Sequence, residues 1–167
     1  SILTAERTLL NYMQRLSGIA TTTSEYVNLI AGTSARLLDT RKTTPTMRIL
    51  EKYAVKTGGG TNHRIGLFDM IMLKDNHIDF AGGIEKAIDR TLQYLKDKQL
   101  DLKIEIEVRN FEELQRVLAK GGVNRIMLDN FSVEDTQKAV KMIDHKYEIE
   151  SSGGITAENI LSYAQTG

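Results

Sequence analysis

Short apolar runs alternate with helical patterns along most of this chain, and that alternation restricts the available folds more than any other feature. Strand-like stretches are expected at residues 35–39, 69–73, 103–108, 125–128 and 147–150. The third alternates strictly, with Ile104, Ile106 and Val108 set against Glu105 and Glu107. Helical spacing predicts helices over 47–55, 84–95, 111–119, 133–143 and 157–164. In the helix over 47–55, Met47, Leu50 and Ala54 are expected on the buried face. A longer helix is expected from an N-cap at Thr4, with Leu9, Leu10, Met13, Leu16 and Ile19 on one face. Gly18 weakens its middle, Tyr26, Val27 and Ile30 turn toward the core, and Gly32 is the expected stop. Strands alternating with helices over short connections call for a parallel sheet with crossover helices. No dinucleotide fingerprint follows the first strand, so a barrel is favoured over a doubly wound sheet.

Composition narrows the class. The chain has 167 residues and a hydrophobic fraction of 41%, which suits one globular domain spanning residues 1–167. It has no cysteine, which removes disulfides, thiolate metal sites and a cysteine nucleophile, and fits a reducing compartment such as the cytoplasm. Its 22 Lys and Arg balance 22 Asp and Glu. Neutrality argues against bulk electrostatic binding to nucleic acid or membrane. No run approaches the length of a membrane span. The chain lacks an initiator Met and stops at Gly167 just after a helical pattern, so an excised domain is expected.

The polar residues fall at telling places. The strand candidates end in Asp39-Thr40-Arg41-Lys42, Lys74-Asp75-Asn76-His77, Asp129-Asn130 and Glu150-Ser151-Ser152-Gly153-Gly154, while the third carries Glu105 and Glu107 on one face. In β/α barrels the C-terminal ends of the strands carry the active site. A carboxylate inside a barrel needs partners, so Glu105 and Glu107 are either functional or members of structural ion pairs. Ser132 is better placed than Asp129 to cap the next helix, which leaves Asp129 for function. The Ser152-Gly153-Gly154 loop leads toward a helix and can hold a phosphate, or serve as an ordinary connection. Three consecutive glycines, Gly58 to Gly60, precede Asn62-His63-Arg64 and imply a flexible or closely approached backbone. His77 is expected to cap its own segment, and His145 to lie on the surface. The expected mouth therefore gathers Arg41, Lys42, His63, Arg64 and Lys74 against Glu105, Glu107 and Asp129. That set suits a polyanionic ligand, with the acids holding a metal or stabilising a developing cation.

The segments Thr4-Ala5-Glu6-Arg7-Thr8, Leu16-Ser17-Gly18-Ile19-Ala20-Thr21, Asp39-Thr40-Arg41-Lys42-Thr43-Thr44-Pro45, Glu51-Lys52-Tyr53-Ala54-Val55, Gly58-Gly59-Gly60-Thr61-Asn62-His63-Arg64, Lys74-Asp75-Asn76-His77, Leu128-Asp129-Asn130 and Ser151-Ser152-Gly153-Gly154-Ile155 stand in order. Together they resemble the quinolinate phosphoribosyltransferase family over nearly the whole chain. The resemblance implies an open, incomplete TIM-like (β/α) barrel with parallel strands. It implies transfer of phosphoribose from phosphoribosyl pyrophosphate to quinolinate, with loss of carbon dioxide and pyrophosphate, giving nicotinate mononucleotide. A related nicotinate enzyme or a non-catalytic anion-binding paralogue is the alternative.

The resemblance also implies roles. Arg41, His63, Arg64 and Lys74 would hold the two carboxylates, with Thr40 among the substrate-binding residues. Arg7 would reach into the neighbouring subunit's site, which makes the protein a homodimer with a shared site, or a higher oligomer. Lys42, Glu107 and Asp129 would be catalytic, with Glu107 and Asp129 also near Mg²⁺. Ser152, Gly153 and Gly154 would cradle the ribose phosphate. An N-terminal sandwich domain and a further strand with a second phosphate loop belong to the family pattern but not to these residues.

Overall fold

The computed structural model describes residues 2–167. The chain forms two compact units that divide after Gly66. The first holds helices α1 (Ile2–Leu29) and α2 (Arg48–Thr57). The second runs β1 (Ile71–Leu73), α3 (Asp75–Ala81), α4 (Ile84–Lys98), β2 (Ile104–Val108), α5 (Phe111–Lys120), β3 (Arg125–Asp129), α6 (Val133–Ile143), β4 (Glu148–Ser152) and α7 (Ile160–Ala164).

In the second unit the four strands pair in chain order, β1-β2-β3-β4, and every pair is parallel. There is no reversal of strand order of the kind that marks a doubly wound sheet. Strand side chains alternate between faces, so the register sorts them into rows. Leu73, Ile106, Ile126 and Ile149 form one row, and Val108 lies beside Leu128. These pack with Ile78, Ile84, Ile88, Leu114, Val117, Ala139 and Ile143 from α3 to α6. Each Val, Leu or Ile side chain among them taken from water is worth about 1.5–3 kcal/mol. The opposite face carries Met72, Glu105, Arg125 and Glu148 in one row, then Glu107, Met127 and Glu150, then Asp129 beside Ser152. Caps set the helices: the Asn110 side chain accepts from the Glu113 N–H at 2.9 Å, and Ser132 accepts from Asp135 at 3.1 Å.

Several expectations need correction. Residues 35–39 form no strand; Leu38 makes a single parallel bridge to Thr61, so the described residues hold four strands rather than five. Asp39 is the reason, because its carboxylate takes the His63 N–H at 2.8 Å where a ladder bond would continue. The first β/α strand of the second unit starts at Ile71 rather than 69. Helix α3 went unseen because only Ile78 and Ala81 of its seven residues are buried, too few to show a period. Helix α7 starts at Ile160, since the Asn159 side chain accepts from the Thr156 N–H at 2.7 Å and holds a turn there.

In the first unit, α1 is one helix of 28 residues that passes through Gly18, and Thr4 lies inside it rather than capping it. Its only buried side chain is Thr23; Leu9, Leu10 and Met13, expected to be packed, are exposed. Helix α2 buries Ala54 as expected, but Leu50 is exposed while Glu51 and Lys52 are buried in addition. The glycine run behaves as a closely approached backbone. A Cβ on Gly58 would overlap the Ala20 carbonyl oxygen and lie 2.8 Å from Thr23, and one on Gly60 would lie 2.7 Å from Val55. Gly58→Ala is therefore expected to cost roughly 1–3 kcal/mol by overpacking. A urea titration should show a lower midpoint with an unchanged slope.

Candidate functional site

In the first unit, the loop of residues 39–44 follows the Leu38 bridge and precedes α2. The Lys52 ammonium is buried, 2% exposed, and pairs with the Asp39 carboxylate. It also donates to the His63 carbonyl at 3.0 Å. In its satisfied orientation the Asn62 amide donates to Asp39 at 3.0 Å and to the Lys52 carbonyl at 2.9 Å. At the other end of the loop, Glu51 accepts from the Thr44 N–H at 3.1 Å and from Arg15 on α1 at 2.9 and 2.5 Å. Burial alone would raise the Glu51 carboxyl, but Arg15 and both Thr44 donors outweigh it and hold its pKa below the usual range. Arg15, Glu51 and Lys52, with Asp39, Thr40, Lys42, Thr43, Ile19 and Val55, line a cavity of about 260 Å³. The Arg41 Nε is buried and has no acceptor among the described residues. His63 is buried, and its Nδ1 accepts from the Arg64 N–H at 2.7 Å, which puts the ring proton on Nε2.

In the second unit, the polar face of the sheet is layered. Its lower layer is an ion cluster. Arg125 meets Glu148 at 2.7 Å, Glu150 at 3.4 Å and the fully buried Glu105 at 3.7 Å. Burial would lower the Arg125 pKa, but Glu148, Glu105 and Glu150 outweigh it and raise it. Glu148, held by Arg125 and by Lys103 at 3.0 Å, titrates lower than an ordinary glutamate. Above this cluster, Glu107 is buried and pairs with the half-exposed Lys74 at the start of α3. The His77 ring accepts from the Lys74 N–H at 3.0 Å, so His77 does close its own segment. Asp129 ends β3 beside Ser152, and the Asn130 amide donates to it at 3.0 Å. Gly153, at φ 92°, lies so close to the Asn130 side chain that a Cβ would overlap it, and Gly154 follows at φ 64° in open space. The Asn159 amide holds the Gly154 carbonyl at 3.0 Å.

The quinolinate phosphoribosyl transferase C-terminal domain family matches residues 19–167. The chain belongs to the quinolinate phosphoribosyltransferase family. It is 44% identical over 181 residues to a mitochondrial quinolinate phosphoribosyltransferase [decarboxylating] of Nicotiana tabacum, covering 100% of this chain and 51% of that protein. It is 48% identical to a probable nicotinate-nucleotide pyrophosphorylase [carboxylating] of Synechocystis sp., covering 100% of this chain and 56% of that one. The solved nicotinate-nucleotide pyrophosphorylase of Francisella tularensis superposes with a TM-score of 0.92 at 48% identity, over 99% of this chain and 57% of that structure. The chain thus spans about half the length of these relatives. The α/β fold expected from the sequence, an open TIM-like barrel with parallel strands, is the one the family neighbours share.

Set against the quinolinate phosphoribosyltransferase pattern, the expected residues sort by unit. Thr40 and Lys42 line the cavity, Arg41 lies between them, and His63 and Arg64 follow the chain that Asp39 and Lys52 hold. Arg7 is exposed on α1, eight residues or about 12 Å of helix from Arg15. Lys74 and Glu107 are in direct contact, and Asp129 and Ser152 are neighbours in the sheet. Glu105 joins the Arg125 cluster below them. The Ser152-Gly153-Gly154 loop does not run straight into a helix, since α7 starts only at Ile160. His145 is exposed as expected. Composition and spacing missed Arg15, Glu51, Lys52 and Arg125. Their signal was charge inside apolar periodicity: Glu51 and Lys52 on the buried side of a helix, and Arg125 at the head of a strand.

Glu51 has a lower pKa folded than unfolded. Its contribution is therefore complete above the unfolded value and is lost as pH falls through the folded one. Glu51→Gln is expected to lower the urea midpoint at pH 7, with the gap to the parent closing below about pH 4. Midpoints measured from pH 7 to 3 check this; a gap undiminished at pH 3 would contradict it.

Proposed function

We propose that this protein joins quinolinate to phosphoribosyl pyrophosphate with decarboxylation, giving nicotinate mononucleotide, pyrophosphate and carbon dioxide. The observation that carries the reading is the buried Arg41 Nε without a protein acceptor, in the loop whose Thr40 and Lys42 line the cavity. A buried guanidinium N–H left unpaired is costly, and a carboxylate ligand would satisfy it. Family membership and the words decarboxylating and carboxylating in the relatives' names support the diacid over nicotinate.

In this reading Arg41, His63 through Nε2–H, Arg64 and Lys74 bind the two carboxylates of quinolinate. Lys74 can turn from Glu107 to the substrate, since its side chain is half-exposed. The ring nitrogen attacks the anomeric carbon of the ribose as the bond to pyrophosphate breaks, and Lys42 neutralises phosphate charge. Glu107, relieved of Lys74, and Asp129 stabilise the positive charge developing on the ribose. The new pyridinium accepts the electron pair left when carbon dioxide departs, and the ring carbon then takes a proton. Ser152, Gly153 and Gly154 hold the ribose phosphate through loop N–H groups, two of them at positive-φ glycines.

Carboxylate oxygens suit Mg²⁺, which is commonly held by one or two carboxylates and substrate phosphates. Asp129 and Glu107, once Lys74 has turned to the substrate, would hold it. Bound there, the ion would neutralise the departing pyrophosphate. We include a homodimer in the proposal: Arg7 stands exposed two turns beyond the cavity-lining Arg15, where it suits a neighbouring subunit's site. The cysteine-free sequence suits the cytoplasm. No helix among the described residues is long and apolar enough to cross a membrane.

Turnover of the full-length protein with quinolinate and with nicotinate tests the reading, and preference for nicotinate would overturn it. Arg41→Met is expected to raise the quinolinate KM about 10- to 100-fold, the loss of one or two charge-assisted hydrogen bonds. Glu107→Gln should lower kcat by about 10²–10³ with quinolinate binding nearly intact. No loss would favour a non-catalytic anion-binding barrel. Chelation of Mg²⁺ should abolish turnover. Mixing an Arg7→Ala protein with a Lys42→Ala protein should restore part of the activity if the site is shared between subunits. No recovery despite proven subunit exchange would contradict the shared site.

A further inference from the structure

Helix α2 buries the wrong residues for a helix that only packs. Ile49, Leu50 and Tyr53 are exposed, while Glu51 and Lys52 are 7% and 2% exposed. What the buried charges touch accounts for this. Arg48, Glu51 and Lys52 stand at i, i+3 and i+4, on one side of the helix. Lys52 pairs with Asp39 at the start of the 39–44 loop. Glu51 accepts from the Thr44 N–H at 3.1 Å at its end. Arg48 donates to the Arg41 carbonyl at 3.3 Å and to the Thr43 hydroxyl at 3.2 Å between them. The loop is thus fastened at four points to one helix side. Thr40, Arg41 and Lys42 lie between the fastenings, and neither Arg41 nor Lys42 has its side chain used by the clamp.

The Lys52 end reaches further. Its ammonium donates to the His63 carbonyl at 3.0 Å, while Asp39 accepts from the His63 N–H at 2.8 Å. One buried ion pair therefore grips both polar groups of the His63 backbone and the start of the 39–44 loop. Beyond it the backbone pairing amounts to the Leu38–Thr61 bridge, with the Asp39 N–H donating to the Thr61 carbonyl at 3.2 Å and the Thr61 N–H to the Leu37 carbonyl at 2.8 Å.

We infer that Lys52, through its ion pair with Asp39, is a positioning residue that sets the spacing between the Thr40-Arg41-Lys42 segment and His63, and so the fit of the site to a planar dianionic acid. The inference rests on the proposed function for the identity of that acid. A buried pair is a poor source of stability compared with packed apolar residues, but it fixes direction and distance. Displacement by about an ångström at a binding constellation can cost about 100-fold in rate.

The test uses the full-length protein and measures quinolinate binding by calorimetry beside turnover. Asp39→Glu keeps both charges and lengthens the link by one methylene. It should fold with a Tm close to the parent, yet raise the quinolinate KM and Kd at least about tenfold. Lys52→Met alone should lose stability as well as affinity, because Asp39 is left buried and unpaired. The double variant Asp39→Asn with Lys52→Met should recover stability without recovering affinity. Lys52→Arg should recover part of it. Parent-like KM and Kd in Asp39→Glu, or full recovery of affinity in a stable double variant, would overturn the positioning role. If the parent binds quinolinate but does not turn it over, the catalytic reading fails while the calorimetric comparison still decides the positioning role.

Discussion

A parallel strand covered by helices has one face that must be apolar, and that requirement governs the second unit. Leu73, Ile106, Ile126 and Ile149 occupy the helix-covered face, so every charge on these strands is turned to the other. Charges gathered on one face must neutralise each other or bind something else. Register decides which. In the Arg125 cluster three acids surround one guanidinium. One row higher, Glu107 pairs with Lys74, whose side chain is half-exposed, and the Asn130 amide donates to Asp129. The C-terminal ends of the strands on this face are where β/α barrels do their chemistry.

The first unit reaches order by another route. It has one β-bridge where a strand was expected, and two helices of which the longer buries a single side chain. Its apolar content is spent on close approach, with Gly58 and Gly60 letting the chain lie against Ala20, Thr23 and Val55. Direction comes from charge: Arg15 with Glu51, and Lys52 with Asp39. Loops that present binding groups are ordinarily the mobile parts of a fold. Here a helix side supplies the rigidity that a strand ladder supplies elsewhere.

The sequence showed best what period shows best. The alternation of Ile104, Ile106 and Val108 and the helical faces of α4, α5 and α6 are long enough for packing to impose a rhythm. Helix α3 has too few buried positions for any rhythm, and residues 35–39 resemble a strand until Asp39 diverts the pairing. The polar strand ends were legible because barrels concentrate polar groups there. The roles of Lys42, Asp129 and the Ser152 loop came from resemblance rather than from period. Glu51 and Lys52 were illegible as partners because an ion pair between distant segments leaves no local pattern. Only the fold shows that a charged residue at an apolar helical position has met its opposite.

The burial of Lys52 has a consequence for chemistry done on the protein rather than by it. Reagents that acylate or reductively methylate amines need approach to an unshared nitrogen lone pair. Lys42, exposed in its loop, offers that approach. Lys52, enclosed and engaged by Asp39 and the His63 carbonyl, does not while the loop stays closed. The two lysines of one short region thus differ as covalent labels, and slow modification of Lys52 becomes a clock for the opening of the loop.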